Sequence, residues 1–83
     1  METIVITQLD GHYDDDSHVI GVASTYEIAV EQMKEFYGNH SLSIKKVHTD
    51  DYMCEGKFLV SSLFDGHVAV DTVYFLVYTL DEL

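Results

Sequence analysis

The stretch "LDGHYDDDSHV", residues 9–19, places four aspartates and two histidines within eleven residues. Carboxylates at this density could hold a divalent cation. A calcium loop, however, needs oxygen ligands at alternate positions, a central glycine and a closing glutamate. Here the glycine precedes the run, no glutamate closes it, and Asp14, Asp15 and Asp16 are consecutive. The two histidines lack the further ligands that a zinc site requires. The stretch favours a solvated loop within an acidic surface, with a weak metal site as the alternative.

The rest of the chain carries no motif for catalysis. The sequence contains no Gly-rich phosphate loop, no G-x-S-x-G turn and no H-E-x-x-H zinc motif. Its five histidines fall at predicted turns or strand ends, and Cys54, which we expect to be half-buried, has no motif partner. No arginine is present to hold an anionic substrate. We therefore predict that the protein is not an enzyme and uses no cofactor.

Three glutamates at intervals of four residues, Glu27, Glu31 and Glu35, share one face of a predicted helix. Successive carboxylates on that face are about 6 Å apart along the axis, which is close to the spacing of every second phosphate on a DNA strand, at about 3.4 Å per phosphate. Further acidic residues occur in predicted loops. The candidate partner-binding residues are Asp14, Asp15, Asp16, Glu27, Glu31, Glu35, Asp50, Asp51 and Glu55.

The helix itself is predicted over about 25–37. Apolar residues recur at helical spacing along one side, at Tyr26, Ala29, Val30, Met33 and Tyr37. Ser24 and Glu27 fit a capping box at its start. Gly38 fits the residue that ends a helix, because glycine tolerates a positive φ.

Five segments rich in β-branched and apolar residues predict strands, at 4–9, 18–23, 42–47, 57–64 and 68–80. Asp65 and Gly66 fit a two-residue hairpin turn, and residues 48–56 indicate a loop or an irregular edge. The last segment is long and almost continuously apolar, so we expect it to be a central strand. The order β-β-α-β-β-β predicts one α+β domain over residues 1–83, with a mostly antiparallel sheet of about five strands packed on one helix.

Charge is the unusual property of the composition. Fifteen acidic residues against four lysines give a formal net charge of −11. Such a field repels nucleic acid and anionic membranes and attracts basic proteins, most commonly those that bind DNA or RNA. The alternative is that the acidity serves solubility. The sequence contains no apolar run long enough to predict a membrane span or a signal peptide. A single cysteine, which cannot form an internal disulfide, is consistent with a reducing cytoplasm.

The segment "VIGVASTYEIAVEQMKEFY" and the terminal "VYTLDEL" resemble a pattern found in small phage and bacterial α+β proteins. In these, a hairpin ending in Gly-Val-x-Ser leads into a helix. The resemblance covers roughly residues 4–37 and 74–83, departs over 48–70, and implies fold without any catalytic residue. The whole profile is also similar to phage-encoded DNA-mimic inhibitors, which implies a basic, DNA-binding host protein as the partner.

Three functional hypotheses follow. The first is a phage-type DNA mimic that inhibits a host DNA-binding protein. The second is a protein–protein adaptor, in one form a homodimer, that acts through an aromatic or sheet-edge surface containing Tyr13, Tyr52, Tyr74 and Tyr78. The third is a module that binds a small ligand or a metal.

Overall fold

The fold is a five-stranded antiparallel sheet with one helix packed on one face, which confirms the predicted α+β architecture. The computed structural model describes residues 2–9, 17–38, 41–64 and 66–79. Its elements are β1 (Glu2–Leu9), β2 (Ser17–Ala23), α1 (Tyr26–Tyr37), β3 (Ser41–Val47), β4 (Cys54–Phe64) and β5 (His67–Thr79). In the sheet the strands lie in the order β2-β1-β5-β4-β3, so β5 is central, as its apolar sequence predicts.

Every strand begins one to three residues earlier than predicted, and α1 begins one residue later. Two of these differences have a clear structural cause. The N-cap of α1 is Thr25, whose Oγ1 accepts a hydrogen bond from the backbone N–H of Ile28 at 3.2 Å; the Ser24 capping box is wrong by one residue. Strand β4 begins at Cys54, because Cys54 and Gly56 pair with Leu76 and Phe75 around a bulge that absorbs the residue between them. Cys54 is buried, with its Sγ 3.0 Å from the carbonyl oxygen of Gly56, and is not half-buried as predicted.

Two positions beside the helix favour glycine, Gly38 for its backbone conformation and Gly21 for lack of space. Gly38, the predicted helix end, has φ 55° and ψ −134°, and its N–H donates to the carbonyl of Lys34. Gly21 lies under the helix, where an added Cβ would come within 2.5 Å of Gln32 Oε1. The Gln32 Nε2 donates to the carbonyl of Val22 at 3.1 Å, which fixes the helix to β2.

The core lies between α1 and the helix-facing side of the sheet. Its largest fully buried side chains are Phe75, Ile6, Met33, Val60 and Val73. The helix contributes the predicted stripe: Ala29, Met33 and Tyr37 are buried, and Tyr26 and Val30 pack against them. In the part of the chain that the structure describes, no helix is long and apolar enough to cross a membrane.

Candidate functional site

The predicted glutamates form a continuous acidic helix row, which we define as Glu27, Glu31 and Glu35. All three side chains are exposed. The helix turns Ala29 and Met33 into the core, and this orientation directs the row away from the sheet into solvent. Because successive members are four residues apart, slightly more than one helical turn, the row runs along the outer side of α1 and drifts by about 40° around the axis at each step.

A second group of predicted residues lies in and beside the loop from β3 to β4. Asp50 Oδ1 is 2.8 Å from His48 Nε2, and both side chains are almost fully exposed. Asp51 has a local structural role, because its Oδ1 accepts a hydrogen bond from the backbone N–H of Met53 at 2.9 Å. Glu55 is exposed and lies in the bulge of β4.

The topology brings this second group to the end of the sheet at which the helix begins. Ile4 pairs with Ala23, which shortly precedes the helix, and with Val77. The N–H of Val77 donates to the carbonyl of Met53 at 2.7 Å, so the 48–53 loop lies beside the same end. Leu9 and Ser17, which flank the aspartate run, pair at the opposite end. Asp14, Asp15 and Asp16 themselves lie outside the described residues.

The lysines leave these carboxylates unneutralised. Across residues 2–9, 17–38, 41–64 and 66–79, the one ion pair within 4 Å is His48 with Asp50. Two lysines contact aromatic rings instead. The Nζ of Lys46 lies 4.8 Å from the ring centroid of Tyr26, and that of Lys57 lies 5.6 Å from the ring centroid of Tyr74. Among the described residues, no lysine forms an ion pair within 4 Å with the acidic helix row.

A metal centre finds no support among the residues that can be described. Within them, no group of three or more His, Cys, Asp or Glu side chains could hold an ion. The metal alternative for the aspartate run, together with His12, lies outside this part of the chain.

Asp71 is a buried carboxylate that the sequence analysis missed. It is 7% exposed, and its Oδ2 accepts hydrogen bonds from Gln8 Nε2 at 2.9 Å and from the Tyr37 hydroxyl at 3.3 Å. The Gln8 Nε2 also donates to the Tyr37 hydroxyl oxygen at 3.1 Å. The signal in the sequence was one charged residue inside an otherwise apolar strand, at the same alternation as Val73 and Phe75. The three polar groups join β1, β5 and the end of α1.

The second face of the sheet carries a large apolar surface. Asp71, Val73 and Phe75 face the helix, so alternate positions of β5 face the other way. Through the strand register these positions define the open sheet face. Its apolar members are Val5, Leu9, Val19, Val22, Val47, Leu59, Leu63, Val68, Val70, Tyr74, Leu76 and Tyr78. Polar side chains share the face, among them Thr3, Thr7, Ser61, Thr72, Lys45 and Lys57.

Two of the four tyrosines predicted to form an aromatic patch lie on this face. Tyr74 and Tyr78 belong to the open sheet face, whereas Tyr52 is in the 48–53 loop and 94% exposed. Tyr13 lies outside the described residues. Among the described residues, the aromatic surface of the adaptor hypothesis is therefore a strand face.

Comparison of the chain with protein-family models, with curated proteins and with solved structures finds no match.

Proposed function

We propose that the protein binds and inhibits a basic, DNA-binding protein by presenting carboxylates where DNA phosphates would lie. The observation that carries the proposal is the acidic helix row: three exposed carboxylates in line on a helix fixed to the sheet, with no described lysine within ion-pairing distance. The partner classes are nucleoid-associated proteins, nucleases, repair enzymes, CRISPR effectors and polymerase components. A phage origin and action in the cytoplasm of a bacterial host belong to the same proposal.

Rigidity supports the helix row as a phosphate analogue. Ala29, Met33 and Tyr37 are all buried on the side of α1 opposite the row, so the spacing of the carboxylates is set by backbone geometry and not by flexible loops. A spacing of about 6 Å along the axis approximates every second phosphate of one DNA strand. Each carboxylate would pair with a lysine or arginine that normally contacts the DNA backbone.

The second acidic group extends the proposed surface past the start of the helix. Asp50 and Glu55 are exposed. The 48–53 loop, which contains Asp50, lies at the same end of the sheet as Glu27, and Glu55 follows it at the start of β4. Asp51 contributes charge while it also shapes the loop. Asp14, Asp15 and Asp16 complete the proposed contact set. A negative surface of this kind repels nucleic acid, so the proposal includes no direct binding to DNA or RNA.

The first experiment is an affinity capture from bacterial lysate at low salt, followed by a salt gradient and mass spectrometry. We expect a DNA-binding protein that elutes at moderate salt and that duplex DNA displaces from the bait. Charge-assisted contacts predict both properties. Recovery of no such protein, or of a partner that DNA does not displace, would contradict mimicry.

The helix row is then tested with matched single charge reversals. Glu31→Lys removes the centre of the row, whereas Glu2→Lys changes the net charge equally at an exposed position of β1 outside the proposed contacts. We expect Glu31→Lys to weaken binding of the captured protein by about tenfold or more and Glu2→Lys to change it little. Equal losses in both variants would assign the effect to net charge alone and remove the row from the contact surface.

The adaptor hypothesis remains the second candidate, and the open sheet face favours it. An apolar interface loses little affinity as salt rises, whereas charge-mediated binding weakens steeply. The salt gradient in the capture experiment therefore separates the two functions.

A further inference from the structure

Strand β5 is apolar on both sides, although the fold covers only one. Ala69, Val73 and Phe75 are buried toward the helix. The opposite positions, Val68, Val70, Tyr74, Leu76 and Tyr78, carry an almost unbroken apolar row. A strand that is apolar on both sides is typical of a sheet with a layer on each face. None of the described elements crosses the open sheet face, so the described residues of one copy supply no second layer.

The most exposed apolar side chains of this face lie toward its margins. Leu63, Val68 and Val70 lie together at one end of the β4–β5 pair and are between 46 and 62% exposed. Three large apolar side chains grouped in this way differ from the single scattered hydrophobic residues that any protein surface shows.

Charge is segregated between the two sides of the molecule. The acidic helix row lies on the helix side, whereas the charged side chains on the other side are Lys45 and Lys57, at one corner of the sheet. Apart from Glu55, where the bulge interrupts the alternation, the described positions of the open sheet face carry no carboxylate. In a chain with a net charge of −11, this face is the one through which two copies meet the least repulsion. In such a contact, Lys45 and Lys57 of each copy would face the other copy, which is acidic.

The area of the face suits a stable association. Five strands about 4.8 Å apart and about eight residues long, at about 3.3 Å per residue, span roughly 600 Å². Two such faces in contact bury about 1,200 Å², which lies at the lower bound of specific interfaces.

We propose that the open sheet face is the interface of a symmetric homodimer, in which two sheets stack and each helix lies on the outside. Stacked sheets are about 10 Å apart, and both helices lie beyond them. The acidic helix rows of the two copies are then more than about 20 Å apart, which exceeds the Debye length of about 8 Å at physiological ionic strength. In this dimer the two acidic helix rows do not face each other, and both remain accessible to a partner.

The test is sedimentation equilibrium of the full chain at physiological salt over a wide concentration range. We expect a species of twice the 9.4 kDa chain mass. Val70→Lys places a charge within the interface, in the group of exposed apolar residues at one end of the β4–β5 pair, and should raise the dimer dissociation constant by at least about 30-fold. The control Phe36→Lys adds the same charge at a similarly exposed apolar residue of α1, 52% exposed, and should change the constant by less than about threefold.

Circular dichroism establishes that each variant is folded. If Val70→Lys unfolds, Val68→Lys, which is the more exposed position on the same strand face, replaces it. A wild-type chain that stays monomeric up to millimolar concentration overturns the proposal and assigns the face to a different protein. Unchanged dimerisation of a folded Val70→Lys or Val68→Lys variant also overturns it. Failure here is distinct from failure of DNA mimicry, because Glu31→Lys affects target binding and not dimerisation.

Discussion

At the scale of single residues, Asp71 determines how the end of the helix meets the sheet. Its carboxylate receives hydrogen bonds from Gln8 and Tyr37, which lie on β1 and at the end of α1. A buried carboxylate is tolerated when donors satisfy it, and the loss of one donor leaves an under-satisfied group in a poorly solvated place. Sequence reasoning could not foresee these partners, because they come from positions far apart along the chain.

Removal of the Tyr37 hydroxyl should destabilise the fold. Tyr37→Phe keeps the buried ring and deletes one donor to Asp71, so we expect the free energy of unfolding to fall by about 1–2 kcal/mol. The measurement is urea denaturation monitored by circular dichroism at fixed protein concentration. Tyr52→Phe is the control, because Tyr52 is 94% exposed, and it should change stability by less than about 0.5 kcal/mol. A Tyr37→Phe variant as stable as the wild type would show that the hydroxyl contributes nothing to the junction.

At the scale of elements, periodicity alone predicted the type of every element. The apolar stripe of α1 and the five β-rich segments correspond to the observed helix and strands. The sheet order β2-β1-β5-β4-β3 was not predictable, because it depends on pairings between distant segments. The start of β4 was missed because glutamate and glycine are poor strand formers, and only the pairing with β5 recruits them. The exposure of the acidic helix row could be predicted from the apolar stripe on the other side of α1. The open sheet face, in contrast, can be identified only when the strand register is known.

The start of the helix allows a test of which of two adjacent hydroxyl groups, those of Ser24 and Thr25, caps the helix. Thr25 Oγ1 caps the N–H of Ile28, so Thr25→Ala should lower the free energy of unfolding by about 1 kcal/mol. Ser24→Ala, at the position that the capping-box pattern indicated, should change it by less than about 0.5 kcal/mol. Thermal and urea unfolding of both variants check this. A larger loss for Ser24→Ala would place the cap where the sequence pattern put it.

At the scale of the whole molecule, the net charge of −11 opposes compactness. Glu31 is one turn from both Glu27 and Glu35, and like charges at this spacing are destabilising by about 0.2–0.5 kcal/mol per pair. If the row binds a basic partner, that partner relieves the repulsion. The sequence alone established the size of this charge, and the fold established that the three carboxylates of the acidic helix row are exposed on the outer side of α1.

Stability should therefore rise with ionic strength. Raising NaCl from about 0.01 M to about 0.15 M shortens the Debye length from about 30 Å to about 8 Å, and we expect the free energy of unfolding to increase by on the order of 1 kcal/mol. Urea denaturation at a fixed protein concentration checks this. KCl should act identically, whereas a stabilisation produced only by CaCl₂ at matched ionic strength would indicate a metal site. A fall in stability with NaCl would mean that attraction, and not repulsion, dominates the native charges.

The position of β5 between β1 and β4 also governs how the molecule is assembled on the ribosome. Ile6 pairs with Phe75, so β1 finds one of its two neighbours only after β5, 69 residues further along the sequence, has been made. The hairpins β1–β2 and β3–β4 can form early from local contacts, but until β5 arrives each has one unpaired inner edge and no shared core. Such long-range closure is slow, and open edges invite pairing between chains. The newly made protein is thus most prone to aggregate just before its last strand inserts and joins the two halves.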